Sequence, residues 1–217
     1  MQSLWALLKK EFLLDFRQSA GITSIVVYLI SVLFSTSLLF KNNFTAVSYS
    51  SVYLIIFLFS GLIASYRNFT KEENDNGLFN YIYYSPVLYV LSKMIYSVIL
   101  NLVLAFLLLF LFVLFNGSLI ANLGLFCINL FGLSIGMGSL LSLMGSISSK
   151  SQGSFALMSI MSFPLLLPLL IISAKLSIAA IQDIPLSMNW KYIISLFSLD
   201  AIIVLLALVL FPQIWTE

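Results

Sequence analysis

Charged side chains all but vanish from this chain, and those that remain are gathered. Of 217 residues ten are Lys or Arg and eight are Asp or Glu, and five of these lie in one stretch, RNFTKEEND, residues 67–75. Nearly everything else is built from long runs of Leu, Ile, Val and Phe. A run of about 20 such residues spans the hydrocarbon core of a bilayer as a helix. The chain is therefore expected to be an all-α, polytopic membrane helix bundle with little material outside the membrane. Any chemistry that needs water, a nucleotide or many polar groups has to come from a partner.

The totals agree. Hydrophobic residues make up 61% and charged residues 8%, with a mean hydropathy of +1.11, whereas ordinary globular domains carry roughly 25% charged residues. The length suits one compact bundle, residues 1–217, and no second folded domain. A net charge of +2 is too small to imply nucleic-acid binding. Cys127 stands alone, so no intrachain disulfide is possible. Histidine is missing, which removes the commonest metal ligand and the commonest general base near neutral pH. No metal site and no cofactor of its own are expected. The N-terminus is not a cleavable signal, because Lys9, Lys10, Glu11, Asp15 and Arg17 precede any long apolar run.

Enzyme chemistry finds no foothold. The phosphate-binding G-x-x-x-x-G-K-[ST] pattern, H-E-x-x-H, G-x-S-x-G and paired Cys motifs are absent. Serine is plentiful, but there is no histidine to activate one. A paired-aspartate protease would need two intramembrane acids, and only Asp200 qualifies, Asp183 being in a loop. Gly/Pro-interrupted spans in matching halves, the mark of many secondary transporters, are not evident.

Six spans are expected at roughly 21–40, 46–66, 93–115, 121–147, 153–174 and 192–212. The fourth is long enough to be tilted or broken, and the third is apolar enough to face lipid over much of its surface. With the N-terminus inside, Lys9, Lys10, Arg17, Arg67, Lys71, Lys93 and Lys150 fall on the inner side, against Lys41, Lys175 and Lys191 outside. The basic excess favours both termini in the cytoplasm. Residues 1–20 read as an interfacial helix, with Leu4, Leu8, Phe12 and Phe16 recurring every four residues, or else as a plain lead into the first span. Residues 67–92 become a cytoplasmic segment, and residues 175–191 an external one.

Several residues stand out from this frame. Gly132 and Gly136 form G-x-x-x-G, with Gly138 in a second small-residue row. They serve packing, within the monomer or across a dimer. Pro164 and Pro168 lie one turn apart and weaken the fifth span. That implies either a static kink or an unwound stretch lining a path. Asp200 is an acid at depth in the sixth span, a functional suspect by default. A Ser195 or Ser198 hydroxyl beside it, or a position near the outer interface, is the bland alternative. In the inner segment, Glu72, Glu73 and Asp75 precede Gly77, and an aromatic run containing Tyr81 leads to Pro86. This is either a solvated charged loop or a handle with a short helix ending at Ser85.

The order of these pieces resembles the permease of an exporter-type (ABC-2) ATP-binding cassette transporter. Within that group the chain is similar to the CcmB family, haem exporter protein B of cytochrome c maturation. The opening KKEFLLDFRQ, with Glu11, Asp15 and Arg17, resembles the family's first helix. Glu73-x-x-x-Gly77, then Pro86 and Lys93 in YSPVLYVLSKM, resemble its inner-loop pattern, and Pro164-x-x-x-Pro168-Leu-Leu-Ile its fifth span. Asn80 departs from the pattern, standing where the family often has an acid. The resemblance implies a partner ATPase, CcmA, on the inner face that holds the ATP, two copies of each subunit, and association with CcmC and CcmD. Haem is the implied cargo, delivered to the chaperone CcmE at a bacterial inner membrane. Glu72, Glu73, Asp75, Gly77, Tyr81, Pro86 and Lys93 would then couple the chain to the ATPase, and the resemblance implies short re-entrant or interfacial helices in segment 175–191 that cap the path. With no histidine, only Met, Tyr or Cys127 is left to ligate iron here. Rival readings are a permease of the same build exporting a drug, lipid or polysaccharide, and an assembly scaffold that transports nothing.

Overall fold

Hydrocarbon offers no hydrogen-bond partner to a backbone amide, so each apolar run must satisfy its own backbone as a helix. The computed structural model describes residues 2–17, 20–41, 43–74, 86–150 and 155–216. Among them are seven helices: α1 (Gln2–Arg17), α2 (Ala20–Phe40), α3 (Ala46–Asn74), α4 (Pro86–Asn116), α5 (Leu123–Lys150), α6 (Phe155–Ile181) and α7 (Leu186–Thr216). Six of them, α2 to α7, are long and apolar enough to cross a membrane. Helix α5 is unbroken and central, touching α3, α4, α6 and α7. Helix α2 packs at the side against α3 and α4, and α1 rests on α4.

Contacts between chain-distant residues define two ends of the bundle. At one end Phe44 stacks on Phe40 and meets Phe112, and the Tyr49 ring also meets Phe112. The Asn122 amide there donates to Ala180 O at 2.9 Å. At the other end the Tyr66 ring meets Phe155, and α1 lies against the beginning of α4.

Helix stops and starts at the first end follow from local chemistry. Lys41, Gly117 and Asp183 take positive φ just past α2, α4 and α6, the left-handed geometry that closes a helix. The Ile184 amide then donates back to Ala179 O at 3.0 Å, closing α6. Thr45 and Ser48 cap α3 reciprocally, Ser48 N donating to Thr45 Oγ1 at 3.2 Å and Thr45 N to Ser48 Oγ at 2.9 Å. Asn122 caps α5 through Leu125 N at 3.0 Å.

Polar side chains inside the spans mostly serve the backbone. Ser31, Ser35, Ser134 and Ser162 donate to the carbonyl four residues earlier, so a hydroxyl at depth needs no neighbour. A smaller set joins helices. Tyr53 OH of α3 donates to Ala105 O of α4 at 2.8 Å. Asn129 Nδ2 of α5 donates to Ser173 O and Ser177 Oγ of α6, at 3.1 and 2.8 Å. Such bonds contribute about 0.6–2 kcal/mol each in a membrane.

Two expectations change at the helix ends. Segment 175–191 does not hold separate short helices: α6 runs to Ile181 and α7 begins at Leu186, leaving only 182–185 between them. Lys175 does not break α6, lysine being an ordinary helix former, and its ammonium sits 5.2 Å from the Tyr192 ring centroid of α7. Likewise α3 continues to Asn74 and α4 starts at Pro86. Proline lacks only an amide that the first turn does not use.

The connection at 182–185 makes a checkable expectation. Ser187 is exposed, whereas Ser177, about one turn from the end of α6, is 0% exposed. In a Cys127→Ser background, Ser187→Cys is expected to react with a water-soluble maleimide and Ser177→Cys to be protected. Equal labelling would contradict the burial of Ser177. Comparing intact cells with inverted vesicles assigns the side of the membrane.

Candidate functional site

Two groups of the singled-out residues come together. The first is at the α1–α4 junction. Leu7 and Glu11, one turn apart on α1, are buried, while Trp5, Lys9, Phe12 and Leu13 are exposed. The buried line runs through Leu7 and Glu11, beside the apolar row, in which Leu8 is half-buried and Phe12 exposed; the side chains of Leu4 and Phe16 lie outside the described residues. A charged residue is found on the packed face because Lys93 of α4 meets it: Lys93 Nζ stands 3.0 Å from Glu11 Oε1. The Phe12 ring lies edge-on to Tyr96 with centroids 5.1 Å apart. Sequence spacing assigned Glu11 and Lys93 to different elements; only packing joins them.

The remaining coupling residues divide by position. Glu72 and Glu73 are on the last turn of α3 and Pro86 is the first residue of α4, but their side chains lie outside the described residues, as do those of Asp15 and Arg17. Asp75, Gly77 and Tyr81 lie outside the described residues altogether.

The second group is at mid-span, where α5, α6 and α7 meet. Asp200 is 3% exposed and is the sole acid within the six membrane-length stretches. Its Oδ1 lies where a side chain on Gly136 would begin, and Leu169 of α6 shares that space. Neither carboxylate oxygen has a hydrogen-bond partner among the described residues. The expected serine neighbours do not supply one: Ser195 Oγ donates to Tyr192 O and Ser198 Oγ to Ser195 O, both at 2.9 Å. The three glycines all serve contacts within the chain. Gly132 admits Leu196 of α7, Gly136 admits Leu169 and Asp200, and Gly138 lies against the backbone of Val98 in α4.

Pro164 and Pro168 do not break α6. Both are exposed, α6 is helical through them, and neither faces the bundle interior of the single chain. Pro168 borders a surface groove between α5, α6 and α7, with Leu140, Leu165 and Ile202. The buried face of α6 is carried by Ser162, Leu166, Leu169 and Ser173.

Sequence reading passed over two buried amides, Asn101 and Asn129, and the glycine that accommodates one of them. Asn101 Nδ2 donates to Ser97 O at 2.9 Å while its Oδ1 lies 2.7 Å from the Cβ position of Gly61 in α3. An amide inside an apolar run was the available signal.

Among the described residues no cluster of His, Cys, Asp or Glu is placed to hold a metal ion. Six membrane-length helices with polar groups buried between them, and a seventh helix packed on one end, define a multi-pass transmembrane protein. Nearly the whole chain, residues 2–212, matches the family model described as CcmB protein, and the chain belongs to that family. It is accordingly a transmembrane permease of the ATP-binding cassette type, acting in haem export for cytochrome c maturation. No curated protein and no solved structure matches it.

Proposed function

We propose that this chain is the membrane-spanning half of an ATP-driven haem exporter that supplies the chaperone CcmE. ATP hydrolysis belongs to CcmA, docked at the end of the bundle that carries α1 and the connection between α3 and α4. Two copies of this chain, with CcmC and CcmD, complete the complex in the bacterial inner membrane. Both termini face the cytoplasm, in keeping with the basic excess at Lys9, Lys10, Arg17, Arg67, Lys71, Lys93 and Lys150. One observation carries the reading: the opening helix and the start of α4, which follows the acidic segment, are joined at a single end by the Glu11–Lys93 pair. A partner gripping that end would contact both at once.

In this reading Glu72, Glu73 and Asp75 meet basic residues of the ATPase, and Gly77 permits a turn before the aromatic run at Tyr81. Glu73→Lys and Gly77→Pro variants, at normal membrane levels, are expected to lose most of the co-purifying ATPase and most cytochrome c maturation. Unchanged retention and maturation in both would reject the assignment.

A further inference from the structure

A charge removed from water is held in place by its partner, since stranding it alone is far costlier than keeping the pair. Glu11 and Lys93 are such a pair, their side chains 5% and 2% exposed. Separation of α1 from α4 would take each of these buried charges away from the other. The contact around them is close. Leu7 is buried, Phe12 meets Tyr96, and the Lys93 ammonium is 6.0 Å from the Tyr89 ring centroid. Lys93 stands about two turns into α4. Little more than a turn further on, the Val98 backbone lies against Gly138 of α5, with no room between for a methyl group. The head of α4 is therefore fastened on two sides, by charge to α1 and by close backbone approach to the central helix.

We infer that Glu11 and Lys93 are positioning residues that make α1 and the head of α4 one mechanical body. Movement imposed on the connection between α3 and α4 then reaches α1, and passes to α5 through Val98 and Gly138, without slippage. The inference rests on the ATP-driven permease reading, which removal of the whole chain tests by itself: intact cytochrome c maturation without the chain would end that reading whatever the pair does.

The pair is tested in the full complex with Glu11→Lys, Lys93→Glu and the exchanged double variant Glu11→Lys/Lys93→Glu. Each single variant is expected to lower cytochrome c maturation by about tenfold or more for the same amount of chain in the membrane, beyond any fall in chain level that breaking a buried pair brings, while assembled complexes still turn over ATP. The exchanged pair is expected to restore most of the output. Full output in the singles, or no recovery in the exchange, would overturn the inference. So would loss of the chain from the membrane in the singles, which would make the pair an aid to folding only. Arg at position 93 keeps the charge, so Lys93→Arg is expected to retain output, and its loss would equally count against the pair.

Discussion

Replacing Gly138 by alanine is expected to destabilise the folded chain by about 1–3 kcal/mol, while Gly124→Ala leaves it nearly unchanged. The difference lies in what a new methyl group meets. At Gly138 it would stand 2.6 Å from the Cα and 2.7 Å from the amide nitrogen of Val98. Those are backbone atoms of a packed helix, and they yield only if α4 and α5 move apart. At Gly124 the nearest atom is Asn122 Oδ1 at 3.5 Å, an ordinary contact. Gly132 and Gly136 should fall between, because their neighbours are the ends of side chains, which can turn aside. Unfolding in mixed micelles with sodium dodecyl sulfate measures the series. Helix propensity favours alanine at both positions, so equal loss at 124 and 138 would show that the close approach of α4 does not set the effect.

Asp200→Asn is expected to act in the opposite direction, raising stability by about 1–3 kcal/mol. An acid at the centre of a span is costly, and no described hydrogen bond offsets the cost here. Asparagine has nearly the same shape and does not carry the charge. The same unfolding assay checks the sign; a fall in stability would show that the carboxylate itself stabilises the folded chain. Measuring cytochrome c maturation alongside separates two reasons for the acid. A gain in stability together with a loss of output would mark Asp200 as retained for transport, and a gain in both would mark it as dispensable.

The spans were legible because their signal is local. The expected stretch 46–66 became Ala46–Arg67 and 93–115 became Leu91–Asn116. The misread region, 175–191, contains Lys175, Asp183 and Lys191, and polar residues argue against a span when only near neighbours are counted. The helix persists because its backbone bonds are internal and lysine is an ordinary helix former; Lys175, on the exposed side, reaches the ring of Tyr192 on the next helix. The proline pair is a related case. Its spacing marks a weakened face of α6 but does not say which way that face turns. The glycine row was readable as a packing stripe, yet its partners on α4, α6 and α7 were not.

Apolar runs alone determined how many times this chain crosses the membrane, because in hydrocarbon every backbone amide must be satisfied within its own segment. Which helices touch was decided only by tertiary structure. Lipid tails are as apolar as leucine and give helices no hydrophobic reason to associate. The decision fell to steric fit, as at Gly138 against Val98, and to polar pairing, as between Glu11 and Lys93. Both join residues far apart in the chain, where no local pattern connects them.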